Sequence, residues 1–448
     1  MDLLKVGAIT LGCAKNRVDL EEILGRLHRE KFYITSELSD AEIIISNTCA
    51  FISEARQESI ETIKNIAQYK TIGNCQLLIV VGCMPQKYSK LLWNKIPQID
   101  LQLGVHSYAQ IEHLISQYNE NKTKMTVRNA PPSNYRCWGQ RILTLPEHSV
   151  YLKIADGCDN RCNYCSIPSI RGPYRSRPLD KILEEANSLV KKGAREINLV
   201  AQDTTYYGCE KYEESQLPKL LMRLCKIDGL DWIRLLYAHP AHLDQKIINI
   251  LSREKKVCSY IDLPMQHINN KILKNMGRKY DQQRLKRLWK TLKQNNITIR
   301  STFLLGFPGE GEAEFNELMS FLRQYPIDRV GAFIYSPEKD TPAYDFKHQI
   351  HPDIKKKRYS KFMNLQRELS FALNRKQVGD KTHVLIEEEL GKLPNDTYYY
   401  RCRNEKLAPE VDGSIYLSTK SPLQPGNMVQ ARIFGCGIYD LLSIPTEQ

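Results

Sequence analysis

The stretch Gly157-Cys158-Asp159-Asn160-Arg161-Cys162-Asn163-Tyr164-Cys165 constrains this chain more than any other. It follows an apolar, strand-like run from Val150 to Ala155, and its CxxxCxxC spacing puts three thiols on one short loop that can turn them toward a single point. Cysteine is the soft ligand that iron–sulfur clusters select. Three ligands leave the fourth iron of a 4Fe-4S cube without a protein donor, and an open coordination site is where a reactive ligand binds. A closed zinc site would want four ligands, and no further Cys or His follows until Cys209.

At 448 residues the chain has room for about three domains of ordinary size. Its 42% hydrophobic and 26% charged content is that of a soluble globular protein, and its net charge of +13 reads either as the mark of an anionic partner such as RNA or a ribonucleoprotein or as a merely solubilising basic surface. The opening residues Met1 to Lys5 carry no secretory pattern, and no run of about 18 apolar residues occurs. A cytoplasmic location with no membrane contact is therefore expected. In a reducing compartment the 13 cysteines do not read as a disulfide framework. They are core residues, ligands or redox groups.

Residues 1–121 alternate short apolar strands (Val6 to Leu11, Ile43 to Ser46, Leu77 to Val81) with amphipathic helices, one carrying Ile23, Leu24 and Leu27, another Ile60, Ile63 and Ile66. This predicts an α/β sandwich around a parallel sheet. Cys13, Cys49 and Cys83 each lie just past the C-terminal end of such a strand. Those ends gather along one edge, where open parallel sheets bind ligands. The three can therefore meet and hold a second cluster, although free cysteines are also common as small core hydrophobes. Cys75, Cys137, Cys209, Cys225, Cys258, Cys402 and Cys436 show no such arrangement and read as structural.

A basic, proline-containing connector over 122–143 marks a domain boundary. From 144 to 376, six strand-like runs separated mostly by helical segments predict a partial (β/α)6 barrel, whose working residues would sit at the C-terminal mouth. That mouth collects Cys158, Cys162, Cys165, Gln202, Asp203, His239, Gln266, His267, the Gly306-Phe307-Pro308-Gly309-Glu310 turn and Ser336. No Ser/His/Asp order or paired-carboxylate motif supports hydrolysis, and no catalytic acid or base is assigned. Arg171, Arg175 and Arg177, with Tyr174 among them, read either as an anion-binding group beside the cluster loop or as a solvated basic loop. Asp353 to Lys376 reads as one long basic helix leading to the last domain. Residues 377–445 turn all-β, with five short glycine-bounded runs that fit a small OB-like barrel. There Tyr398, Tyr399, Tyr400, Arg401 and Arg403 interleave aromatic and basic groups as a stacking platform would, with half the run turned inward.

With these pieces in this order, the chain resembles the radical S-adenosylmethionine methylthiotransferases over nearly its whole length. The CxxxCxxC loop, with Tyr164 before its last cysteine, matches the radical SAM signature. The N-terminal triad matches that family's auxiliary-cluster domain, and the last 70 or so residues look like a TRAM domain. The stretches Ile167 to Pro178, Ala201 to Thr205, Leu235 to Pro240 and Glu410 to Gly413 look like the RimO branch. Ala14 stands where that branch commonly has Pro, and Ala50 where Gly is common, departures that remove no ligand.

The resemblance implies two 4Fe-4S clusters, on Cys158, Cys162 and Cys165 and on Cys13, Cys49 and Cys83, with S-adenosylmethionine on the first. It implies that Tyr164 contacts the adenosyl group and that Gln202 and Asp203 contact the cofactor's polar end. The implied activity is transfer of a methylthio group to the β-carbon of an aspartate in small-subunit ribosomal protein S12, free or on the small ribosomal subunit. An external electron donor is required, and the TRAM barrel would contact RNA or protein. The alternatives are a MiaB-type transferase acting on tRNA adenosine and a non-catalytic, RNA-binding iron–sulfur protein.

Overall fold

The computed structural model describes residues 3–29, 32–135, 139 and 141–446. Cys137 lies outside the described residues. The first sheet has six strands, all parallel: β1 (Lys5–Thr10), β2 (Tyr33–Thr35), β3 (Ile43–Thr48), β4 (Leu77–Gly82), β5 (Leu101–Gly104) and β6 (Met125–Val127), in the spatial order β2-β1-β3-β4-β5-β6. β3 and β4 are buried along their whole length, as continuous runs of Ile, Leu and Val require in a sheet covered on both faces. The helices Ala14–Arg29 and Ser53–Ala67 turn the expected apolar stripes, Ile23, Leu24 and Leu27 and Ile60, Ile63 and Ile66, into that core.

The second sheet begins with β7 (Ser149–Lys153). It is followed by a short antiparallel pair, β8 (Ala155–Asp156) and β9 (Arg175–Ser176), that brackets the cysteine loop. The sheet continues with β10 (Glu196–Val200), β11 (Trp232–Leu235), β12 (Val257–Asp262), β13 (Thr298–Leu305) and β14 (Arg329–Ile334), parallel and in sequence order from β7. Six parallel strands with helices outside make the open barrel expected from the sequence. The helix Pro352–Arg375 packs on its last strands and leads to the third domain.

That domain is a closed barrel of β15 (Lys381–Lys392), β16 (Tyr398–Arg403), β17 (Ile415–Thr419), β18 (Met428–Cys436) and β19 (Leu441–Pro445) in the order β15-β16-β17-β19-β18. Alternation along β16 buries Tyr400 and Cys402 and turns Tyr399 and Arg401 outward, but Arg403 breaks the pattern. It is buried against Glu196 at the N-terminal end of β10, at 2.5 Å, and against Glu387, at 2.6 Å. The stacking platform is thus reduced to Tyr399 and Arg401.

The small barrel is not an appendage. The loop between β16 and β17 lies against the inner side of the open barrel. Arg234 donates to the carbonyls of Asn404 (3.2 Å) and Glu405 (2.6 Å). The Tyr260 hydroxyl donates to Asp412 and that of Tyr151 to Glu410, at 2.8 and 2.7 Å. Arg17 of the first domain pairs with the same Glu410 at 3.0 Å. Tyr151, Trp232, Cys258 and Tyr260 form one apolar cluster with Leu385 and Ala408 of the third domain and Val18 of the first.

Candidate active site at the barrel mouth

Strand register explains why three cysteines far apart in sequence meet. Thr48 of β3 is paired with Gly82 of β4, so Cys49 and Cys83 are the next residues on adjacent parallel strands. Neighbouring strands lie about 4.8 Å apart. Cys13 comes from the turn after β1, the other neighbour of β3. In that turn Gly12 has φ +89°, and a Cβ there would lie 2.7 Å from the Cβ of Cys49 and 3.1 Å from its Sγ. Only glycine lets the two loops close on each other. The thiols of Cys13 and Cys83 both point to Asn16 Oδ1, each at 3.9 Å.

Burial pushes the Cys49 thiol up to about 12, and the charges of Cys83 and Cys13 push it the same way. A thiol so raised holds its proton tightly until a cation takes its place. Two thiols of the second trio are raised in the same way. Burial raises Cys158 to about 11, and it raises Cys165 with Cys162 adding to the effect.

The spacing of the sulfurs also bears on the metal. Around a single tetrahedral zinc, sulfurs 2.3 Å from the ion lie about 3.8 Å from one another. Among the described residues, the one group of three Cys, His, Asp or Glu ligand atoms all within 4.8 Å is Asp203, His239 and His242. Neither cysteine trio is that tight, so neither is drawn in around a single ion. The Asp203 group is itself no metal site. His239 Nδ1 accepts the Ala241 N–H at 3.2 Å, which places its proton on Nε2, while His242 Nδ1 engages Asp203 at 2.7 Å.

The CxxxCxxC loop is fixed from several sides. Gly157 has φ +84°, and a Cβ there would strike the Pro173 carbonyl oxygen at 2.0 Å. Asn160 donates to Asp203 Oδ2 at 2.9 Å. Arg278 donates to Cys162 Sγ at 3.3 Å and to the Tyr164 hydroxyl at 3.4 Å. Burial alone would raise the Asp203 carboxyl, but the His242 bond, the neighbouring His239 and His242 rings and the Thr205 hydroxyl hold it at about 2.

Gln202 donates to Asp156 at 3.0 Å, and its Oε1 is buried without a partner among the described residues. His239 Nε2 is likewise buried and unpartnered. One orphan acceptor and one orphan donor at the same mouth suit a ligand carrying both an ammonium and oxygen acceptors. Tyr164 packs edge-on to Phe307 of the Gly306–Glu310 turn, with ring centroids 6.3 Å apart. That turn is itself held by the buried Glu310, which accepts from the Gly306 N–H at 3.0 Å and pairs with Arg358 at 2.9 Å.

The arginines after the cysteine loop are neither a solvated face nor a free anion site. Arg171, Arg175 and Arg177 are all buried. Arg171 pairs with Asp19 at 2.7 Å and Asp156 at 3.3 Å, and it donates to Asn16 Oδ1 at 2.7 Å and toward Cys83 Sγ at 3.9 Å. Arg175 donates to the Pro173 and Arg171 carbonyls, and Arg177 pairs with Glu185. The partners Asp19 and Asn16 of Arg171 lie far away in sequence, so the loop looked solvated when read alone. On the same side, Lys87, four residues past Cys83, donates to Ser166, the residue after Cys165, at 2.8 Å. Arg56 and Tyr88 of the first domain reach Glu338 beyond β14 at 2.5 and 2.9 Å. These ties set the first domain's cysteine edge against the barrel mouth. Asn16, Lys87, Arg278, His242 and Glu338 were not singled out from the sequence, where no local pattern separates them from ordinary polar residues.

Three families match separate stretches of the chain: the radical SAM superfamily over residues 152–322, the uncharacterized protein family UPF0004 over 5–104, and the TRAM domain over 378–444. The chain is 42% identical over 451 residues to the ribosomal protein uS12 methylthiotransferase RimO of Clostridium kluyveri, covering 100% of this chain and 99% of that one. It is 43% identical over 439 residues to the RimO protein of Desulforamulus reducens, covering 98% of each. Among solved structures it is similar to the radical S-adenosylmethionine methyltransferase TsrM from Kitasatospora setae, with a TM-score of 0.58, 14% identity and 77% of each chain covered. It is also similar to the radical enzyme OxsB, with a TM-score of 0.53, 12% identity, and 82% of this chain and 56% of that one covered. Those two likenesses concern the fold alone.

Proposed function

Because the chain belongs to the RimO family of ribosomal protein uS12 methylthiotransferases, we propose that it is a radical S-adenosylmethionine enzyme that places a methylthio group on the β-carbon of an aspartate in uS12. The observation that carries this reading is the pairing of two cysteine trios across one domain boundary, where Arg171, six residues past one trio, is bonded to Asn16 and to Cys83 of the other. Cys158, Cys162 and Cys165 would hold one 4Fe-4S cluster and Cys13, Cys49 and Cys83 the other. When bound there, the two clusters with S-adenosylmethionine supply one-electron cleavage of a sulfonium and a place to carry sulfur, chemistry that acids and bases cannot supply at an unactivated carbon.

The chain's own part is to bind, orient and exclude. Gln202 Oε1 is placed to accept from the ammonium of the methionine moiety, and His239 Nε2–H to donate to one of the ligand's oxygens. Asp203 has both oxygens engaged by Asn160, His242, Thr205 and the Tyr206 N–H, and acts on the cofactor's polar end through the loop it holds. Tyr164, backed by Phe307, offers an aromatic face for the adenosyl group. Arg278 steadies Cys162 and Tyr164 together. An external protein supplies the electrons, and the exposed Tyr399 and Arg401 of the TRAM barrel face the ribosomal RNA or protein around the substrate.

The test is anaerobic reconstitution followed by incubation with uS12, with small ribosomal subunits and with tRNA, each read by mass spectrometry for a methylthio increment. The increment is expected on uS12. An increment on tRNA with uS12 unchanged would overturn the assignment, and no reductive cleavage of S-adenosylmethionine would reduce the protein to a binding module.

A further inference from the structure

Lys15 carries a buried charge with no carboxylate in contact, Asp262 acting on it only from beyond ion-pair distance. It is 8% exposed and lies two residues past Cys13. Among the described residues no carboxylate comes within 4.0 Å of its Nζ. Other buried cations nearby are all paired: Lys153 and Arg171 with Asp19, and Arg300 with Asp262. What Lys15 has is the ring of Tyr237, with its Nζ 3.2 Å from the centroid. A cation–π contact offsets part of the cost of burying an ammonium but leaves its N–H donors without acceptors.

Tyr237 is held in place for this. It sits two residues past the end of β11, at the barrel mouth, with φ +58°, a region that bulky residues rarely enter. Its N–H is fastened to Asp262 Oδ2 at 3.1 Å. The lysine is thus pinned between the Cys13 turn of the first domain and the end of β11 at the barrel mouth. Gln202 and His239, the orphan groups suited to the cofactor, belong to the barrel side, whereas Lys15 belongs to the first domain.

We propose that Lys15 receives the side-chain carboxylate of the substrate aspartate and so selects aspartate over asparagine, an inference that rests on the aspartate-directed reading above. The carbon to be modified is bonded directly to that carboxylate, so gripping the carboxylate also fixes the carbon between the two metal-binding loops. A single ammonium suits this task, because an uncharged amide would leave it unpaired in a dry site.

The experiment uses the reconstituted full chain and two uS12 loop peptides that differ only in Asp or Asn at the target position. Binding is read by fluorescence anisotropy and modification by mass spectrometry, with iron content and cluster absorbance checked for each variant. The wild type should prefer the Asp peptide. Lys15→Met should weaken Asp-peptide binding by roughly thirty-fold or more while leaving Asn-peptide binding nearly unchanged, and Lys15→Arg should keep most of the preference. Because the readout is a ratio within each variant, general damage moves both peptides together. Equal losses for both, or an undiminished Asp preference in Lys15→Met, would overturn the proposal while uS12 methylthiolation by the wild type still stood. A wild type that modified tRNA and ignored both peptides would instead remove the reading beneath it.

Discussion

Arg171 Nη2 donates to Asn16 Oδ1 at 2.7 Å, and that one oxygen also lies 3.9 Å from the sulfurs of both Cys13 and Cys83. Arg171 follows the CxxxCxxC loop by six residues, whereas Asn16 belongs to the first domain. A single guanidinium therefore ties the two metal-binding regions through the ligands of one of them.

Replacing Arg171 with Met should leave Asp156 without its paired cation and Asp19 with Lys153 alone in a dry interior. Removing one partner of a buried pair costs about 3–5 kcal/mol, and both arginine and aspartates are nearly inaccessible here. Thermal unfolding should show a clear drop, and iron content should fall first at the Cys13, Cys49 and Cys83 site.

The two trios should be separable by mutation. Cys158→Ala should abolish 5'-deoxyadenosine formation. Cys49→Ala should retain it and lose methylthio transfer. Each variant should keep about four of the eight irons expected for two cubes, and a Cys158→Ala protein that still cleaved S-adenosylmethionine would refute the division of labour.

Gly12→Ala puts a methyl 2.7 Å from the Cys49 Cβ at a backbone angle that L side chains rarely adopt. A local cost of about 1–3 kcal/mol is expected. Iron should fall toward four per chain, with the radical-generating half intact, as measured by iron analysis beside a 5'-deoxyadenosine assay.

His106 follows β5 and is buried, which lowers its pKa to about 4 from 6.5, with Arg175 and Arg171 acting the same way and Asp156 against them. The folded protein resists a proton that the unfolded chain accepts. Its contribution to stability is therefore complete above about pH 6.5 and is lost as pH falls toward 4. The stability of the wild type relative to His106→Gln should decline across that window and be flat above it, as followed by denaturant unfolding at a series of pH values.

Much of the architecture was legible because the signals are local. The Ile43 and Leu77 runs are too apolar to be anything but buried strands, and three cysteines on one loop can hardly avoid one another. Cys13, Cys49 and Cys83 could be joined because parallel strands align their ends. What escaped depends on contacts across hundreds of residues. Arg403 reads as half of a surface platform until Glu196 is placed beside it, and Arg171 reads as solvated until Asp19 arrives from the first domain. Lys15 was hidden for the opposite reason, since its meaning lies in the partner it lacks.

The loop from Asn404 to Asp412 gives the C-terminal barrel a second occupation. Were the chain to stop at residue 376, Glu196 would keep Arg234 but lose the Arg403 guanidinium, Arg234 would lose the carbonyls it donates to, and the wall of Tyr151, Trp232 and Tyr260 would face water. A truncation meant to remove only an RNA- or protein-binding module would instead unmake the floor of the reaction vessel. For the same reason, grafting a foreign barrel in its place should fail unless the graft brings its own equivalents of Arg403, Glu410 and Asp412.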